Sequence, residues 1–204
     1  MAEDLPELVV PDAASLRAWL GEHSGQPSGV WLLLAKKGTT SPTSLSYDQA
    51  VVEALCHGWI DGQVRSRDEA TYVIRFTPRR ARSIWSRRNV DLVAGLVERG
   101  QMRADGLAEV RRARADGRWD AAYAGPATIE VPDDVAAALA ANPAAQAMFA
   151  ILTSQNRYAV LFRVGGAKRP ETRARRIEQF VAMLARGETV YPQQRARSVG
   201  GVDQ

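Results

Sequence analysis

Apolar and polar positions along this chain fall into runs of two different periods, and the changes between them outline the fold. Asp12 stands ahead of a stretch in which Leu16, Trp19 and Leu20 share one face, which predicts a capped helix ending near Gly25. Gly29 to Lys37 is a continuous apolar run closed by charge and Gly38, and reads as a buried strand. Ser46 with Gln49 three positions on makes a capping box for a helix over Tyr47 to His57, stopped by Gly58. Trp59 to Arg65 and Thr71 to Phe76 read as a hairpin, with Tyr72, Ile74 and Phe76 on the core face and Val73, Arg75 and Thr77 on the other.

After Pro78 the period becomes helical. Ser86 can cap a helix from Arg87 to Arg99 ended by Gly100, and a second opens at Ala104 or Asp105 and runs to Ala115, with Gly117 as its stop. Asp120 to Ile129 is a crossover loop; the helices Pro132 to Ala141, Pro143 to Leu152, Ser154 to Val164 and Pro170 to Arg186 follow, three of them with proline in the first turn. The class is α+β: a small antiparallel or mixed sheet of about three strands packed with helices, and an α-helical C-terminal third. One compact body is expected, built from an α+β domain over residues 1–125, a helical region over 126–192 packed on it, and a polar, Gly-rich disordered tail over 193–204.

Composition adds boundaries. The 204 residues can bury a core without staples, and 46% hydrophobic against 25% charged residues argues against global disorder. One cysteine, Cys56, excludes an internal disulfide framework and a Cys-rich zinc site. The acidic start does not resemble a secretory signal and no apolar run reaches membrane-span length, so a cytoplasmic address and no membrane partner are expected. No cofactor motif occurs.

Charge is distributed unevenly. Residues 59–89 hold eight arginines against Asp61, Asp68 and Glu69, a local excess larger than the +4 of the whole chain. A second basic patch lies in residues 168–204, and two patches on a nearly neutral body read as sites more than as a coating.

Several separated motifs occur in order: Trp31 to Gly38, Ala54 to Gln63, Phe76 to Ser86, Gly117 to Tyr123 and Ala167 to Ile177. Together they resemble the YdeI/OmpD-associated family, also called bacteriocin-protection proteins, over about residues 13–192. In that family the central motif is commonly Cys-Phe-Gly-Trp-Ile-Asp-Gly, and here His57 replaces the aromatic residue. The resemblance implies a bacterial protein with a role in tolerance to antimicrobial peptides or in envelope stress, with no agreed enzymatic activity or cofactor.

The residues themselves point to a small anionic or aromatic ligand, because guanidinium offers a fixed fork of donors and a flat stacking face. Arg79 and Arg80 in the basic loop, with Ser86 and Asn89 at the following helix start, form the first candidate ligand set. Trp59, Trp85 and Arg75 are placed beside it as stacking and charge partners. Asp61 is the candidate general base, or the residue that fixes an arginine rotamer, with Arg75 as a candidate partner. Arg157, Lys168, Arg169 and Arg173 are assigned to the same pocket, on the expectation that the last helix closes over the first patch. Two other readings stay open: electrostatic binding of nucleic acid, and a metal-independent enzyme using Asp61 with the arginines.

Overall fold

In the computed structural model, which describes residues 5–193, the chain forms two units, Met1–Ala122 and Tyr123–Gln204. Of the tail expected over 193–204, Gln193 is held by Asn156 and Ile151, and residues 194–204 lie outside the described residues.

The first unit begins with β1 (Glu7–Leu8), α1 (Ala13–Glu22) and β2 (Val30–Ala35). It continues through α2 (Tyr47–Cys56), β3 (Trp59–Ser66), β4 (Thr71–Pro78), α3 (Arg87–Glu98) and α4 (Ala104–Ala115). The four strands lie in the order β1-β2-β4-β3, with β1 parallel to β2 and the other pairs antiparallel. The sheet therefore has one strand more than the sequence pattern indicates. Glu7 and Leu8 are bracketed by prolines and too few to show alternation, and only pairing with Trp31 and Leu32 makes them a strand.

Predicted caps are the caps observed. Asp12 accepts from the Ser15 amide, Ser46 and Gln49 form the reciprocal box, and Ser86 accepts from the Asn89 amide. Gly58, Gly100 and Gly117 have positive φ at or just past the ends of α2, α3 and α4, a conformation glycine adopts without steric cost.

One face of the sheet, through Leu32, Leu34, Ile74 and Phe76, packs with Leu16 and Leu20 of α1, Val51 and Leu55 of α2, and Val93 and Leu96 of α3. The other face carries Trp31, Leu33 and Val73. Burial on both faces is why β2 reads as an unbroken apolar run. A register shift between Asp61 and Val64 bends β3 around Gly62.

The second unit contains α5 (Asp133–Ala140), α6 (Pro143–Ala150), α7 (Ser154–Gly165) and α8 (Pro170–Ala185), with α8 contacting the other three. Its core joins Val135, Leu139, Phe149, Leu161, Ile177 and Leu184. Buried Asn156 takes the Tyr191 amide on its oxygen at 2.8 Å and donates to the Tyr191 carbonyl at 3.0 Å, fastening the chain beyond α8 to α7.

The start of α4 meets the end of α2 without room for a methyl group. A Cβ on Gly106 would stand 2.3 Å from the Cys56 carbonyl oxygen, and the Arg103 amide donates to that same oxygen at 3.0 Å. Gly106→Ala, which would help an open helix, is expected to cost about 1–3 kcal/mol here. Urea denaturation measures it, and Gly25→Ala, where nothing lies within 4 Å of the new carbon, is the control.

Burial and the Arg103 charge hold the His57 imidazole below its ordinary value of 6.5. The unfolded chain then takes up the proton first, so this contribution to stability is complete above about pH 6.5 and declines as pH falls further. Denaturation at pH 7.5 and 5.5 should show that decline, and His57→Gln should reduce it.

Candidate functional site

The segment from β4 to α3 is held by ring contacts and by hydrogen bonds from side chain and backbone. Arg79, only 5% exposed, lies flat on the Trp85 indole with its guanidinium carbon 3.5 Å from the ring centroid. Its Nη1 donates to the Ile84 carbonyl at 3.2 Å, and its backbone N–H donates to Gly58 O at 2.9 Å. Arg118 donates from Nη1 to Ser83 O at 2.8 Å, while Trp119 stands edge-on to Trp85 at 4.9 Å. Arg80 and Ser83 close a small turn, with Ser83 N–H to Arg80 O and Arg80 N–H to Ser83 Oγ, both at 2.9 Å.

The fastened loop presents Arg80 and Arg82 outward and the α3 start presents Arg87, and among the described residues none of these forms an ion pair. Ile84 is 53% exposed between them. The α3 first turn that follows contains no acidic residue, so the N–H groups and dipole of the helix start add positive potential.

Asp61 is paired with a residue that sequence reasoning missed. Tyr47, the first residue of α2, donates its hydroxyl to Asp61 Oδ2 at 2.8 Å, and burial, together with the carboxylate, pushes the phenol up to about 12. Arg88 lies over the Tyr47 ring at 5.3 Å and donates to Asp48 at 2.7 Å. Arg75 forms no ion pair with Asp61 among the described residues; it follows Ile74 on β4 and is half-buried. Asn89 is buried and lies close to Asp61 and Trp59 with no room for a water between them.

Both indoles of the predicted set are interior, Trp59 at 1% and Trp85 at 2% exposure. Trp59 meets Trp19 edge-on at 5.8 Å, and Trp85 is covered by Arg79. The structure thus gathers Arg79, Arg80, Trp85, Ser86 and Asn89 around one loop and the helix start it leads into, while Asp61 is engaged by Tyr47.

The remaining predicted residues belong to the second unit. Arg173 makes a two-pronged pair with Asp134, at 2.6 and 2.8 Å, and also donates to Val164 O. Arg157 lies over Phe149 at 4.8 Å; Lys168 and Arg169 are exposed just ahead of α8, Arg169 as its N-cap.

Cys56 is buried, and burial with nearby Glu53 lifts its thiol to about 11, far from a reactive thiolate. Among the described residues no group of three or more His, Cys, Asp or Glu could hold a metal, and no helix is long and apolar enough to cross a membrane.

Residues 8–109, half of the chain, match a family model described as Domain of unknown function (DUF8412). Residues 128–187 match the model described as Bacteriocin-protection, YdeI or OmpD-Associated. The resemblance read from the motifs is shown over that second segment, while the motifs between Trp31 and Ser86 fall within the span of the first. No curated protein and no solved structure matches the chain.

The Tyr47 bond to a carboxylate predicts a measurable coupling. Tyr47→Phe and Asp61→Ala should each lower stability, and the double-mutant cycle in urea should return about 1–2 kcal/mol of interaction for this half-buried, charge-assisted bond.

Proposed function

Because this chain belongs to the family described as Domain of unknown function (DUF8412) and carries a bacteriocin-protection segment after it, we propose that it serves in protection against bacteriocins by binding a small anionic ligand. The ligand sits on the loop between β4 and α3. The observation that carries this reading is the group of three outward arginines, Arg80, Arg82 and Arg87, without ion pairs among the described residues, on a loop held rigid from within.

Pre-organisation matters here because an arginine on a fixed backbone loses less freedom on binding than one on a mobile loop. The arginines supply forked donors that match phosphate or carboxylate oxygens, and the α3 start supplies backbone N–H groups toward the same anion. Interior placement of Trp59 and Trp85 favours an anionic over an aromatic ligand. Asp61, engaged by Tyr47, acts in this reading to orient the start of α2 beside β3 and performs no proton transfer.

Titration calorimetry with inorganic pyrophosphate tests the proposal directly. The native chain should bind with an affinity that falls as salt rises, and the triple variant R80A/R82A/R87A should lose about tenfold or more while its melting temperature stays nearly unchanged. Cells expressing the triple variant should survive bacteriocin challenge less well than cells expressing the native chain. Equal binding by the variant, or no heat from the native chain, would remove the basis for the proposal. Retention of duplex DNA on filters at low salt, with no response to pyrophosphate, would favour nucleic acid instead.

A further inference from the structure

The first unit holds another polar recess, formed by residues that the basic loop does not use. A cleft of about 540 Å3 opens between α1 and the start of α4, within the size range of small-molecule sites. Its α1 wall is made by Arg17 together with Ala14, Ala18 and Gly21, small residues about one turn apart that leave the space open. Arg17 on the same helix is already held by buried Glu53 through two hydrogen bonds, at 2.8 and 2.6 Å.

Two independent features in this cleft call for a ligand. His57 lines it while only 6% exposed, and its Nε2 is buried with no hydrogen-bond partner. Such a group is costly to leave unmet, and native proteins satisfy nearly all of them. The second feature is the α4 start, which also lines the cleft. Its N-cap, Arg103, makes no side-chain capping bond, so the N–H groups of the first turn have no partner within the helix. The Arg103 guanidinium forms no ion pair among the described residues.

We propose that this cleft binds a small organic monocarboxylate. The carboxylate meets Arg103 and the first-turn N–H groups of α4, the body of the ligand covers Ala14, Ala18 and Gly21, and an oxygen comes within reach of His57 Nε2. Asp105, in the same first turn, adds a negative charge to the rim. It disfavours multiply charged anions, so a single carboxylate fits where phosphate does not. The ligand class and the residues both differ from those of the loop, and either reading stands without the other.

The test is an NMR titration of the full chain with benzoate. It reads the His57 Cε1–H signal and the amides of Ala104, Asp105 and Gly106, with the amides of Ala145 and Gly165 in the second unit as internal reference. Benzoate should move the His57 signal and the three amides saturably, leaving the reference amides in place, and inorganic phosphate over the same range should not. Arg103→Gln should weaken the effect about tenfold. Gly21→Ala should weaken it as well while keeping the fold, since the added carbon would meet His57 Cε1 at an ordinary 3.9 Å. Absence of a saturable shift overturns the proposal, as would equal response to phosphate or unchanged binding in both variants.

Discussion

A guanidinium stacked on an indole holds the loop of the first unit in one shape. Arg79 and Trp85 meet face to face at 3.5 Å inside the protein, where water does not compete, and a desolvated contact of this type contributes about 2 kcal/mol. Its position matters more than its energy. Arg79 reaches Ile84 O from its side chain and Gly58 O from its backbone, so the loop is tied both to itself and to the turn between α2 and β3. A lysine would fill the same space but could not lie flat on the ring while donating sideways. With Arg79 inside, the neighbouring arginines at 80, 82 and 87 are left on the outer side of a fixed backbone.

Which positive charges remain available follows from which carboxylates are in reach. Arg17 is taken by Glu53, Arg88 by Asp48, Arg118 by Asp116 and Arg173 by Asp134. Pairs at the surface add little stability, typically below about 1 kcal/mol, but they cancel charge locally. Within residues 59–89, Arg67 meets Glu7 and Asp68 and Arg88 meets Asp48, while Arg80, Arg82 and Arg87 form no ion pair among the described residues. A sequence pI near 9.6 says nothing about that, because net charge is a sum and binding depends on which charges are left unmatched and held in place.

Much of the fold was legible because its signals are local. Asp12, the Ser46 and Gln49 pair, Ser86 and the glycines after α2, α3, α4 and α8 act within one turn, so spacing alone reveals them. β1 was not legible, since two residues between prolines become a strand only through a neighbour more than twenty positions away. The site was legible in composition and illegible in arrangement. Asp61 stands near Arg75 in the chain's hairpin, and strand pairing made that arginine the natural partner. The helix packed against the hairpin instead brings Tyr47 to it, a contact set by tertiary packing. The fate of each tryptophan was equally hidden, because an indole's apolar body and single donor suit a core and a binding face alike.

His57 shows how far a single substitution in a motif can be interpreted. In the sequence it stands where the motif that the chain resembles has an aromatic residue, and its flanking pattern is simply that of a helix end. In the structure that helix end abuts the start of α4, so closely that Gly106 can carry no side chain there. Burial at the junction, together with the positive potential of Arg103, disfavours a second proton on the ring. An aromatic residue at this place would fill the same volume with no polar atom to satisfy. A neutral imidazole at this place adds one buried nitrogen with no hydrogen-bond partner, beside the cleft between α1 and the start of α4.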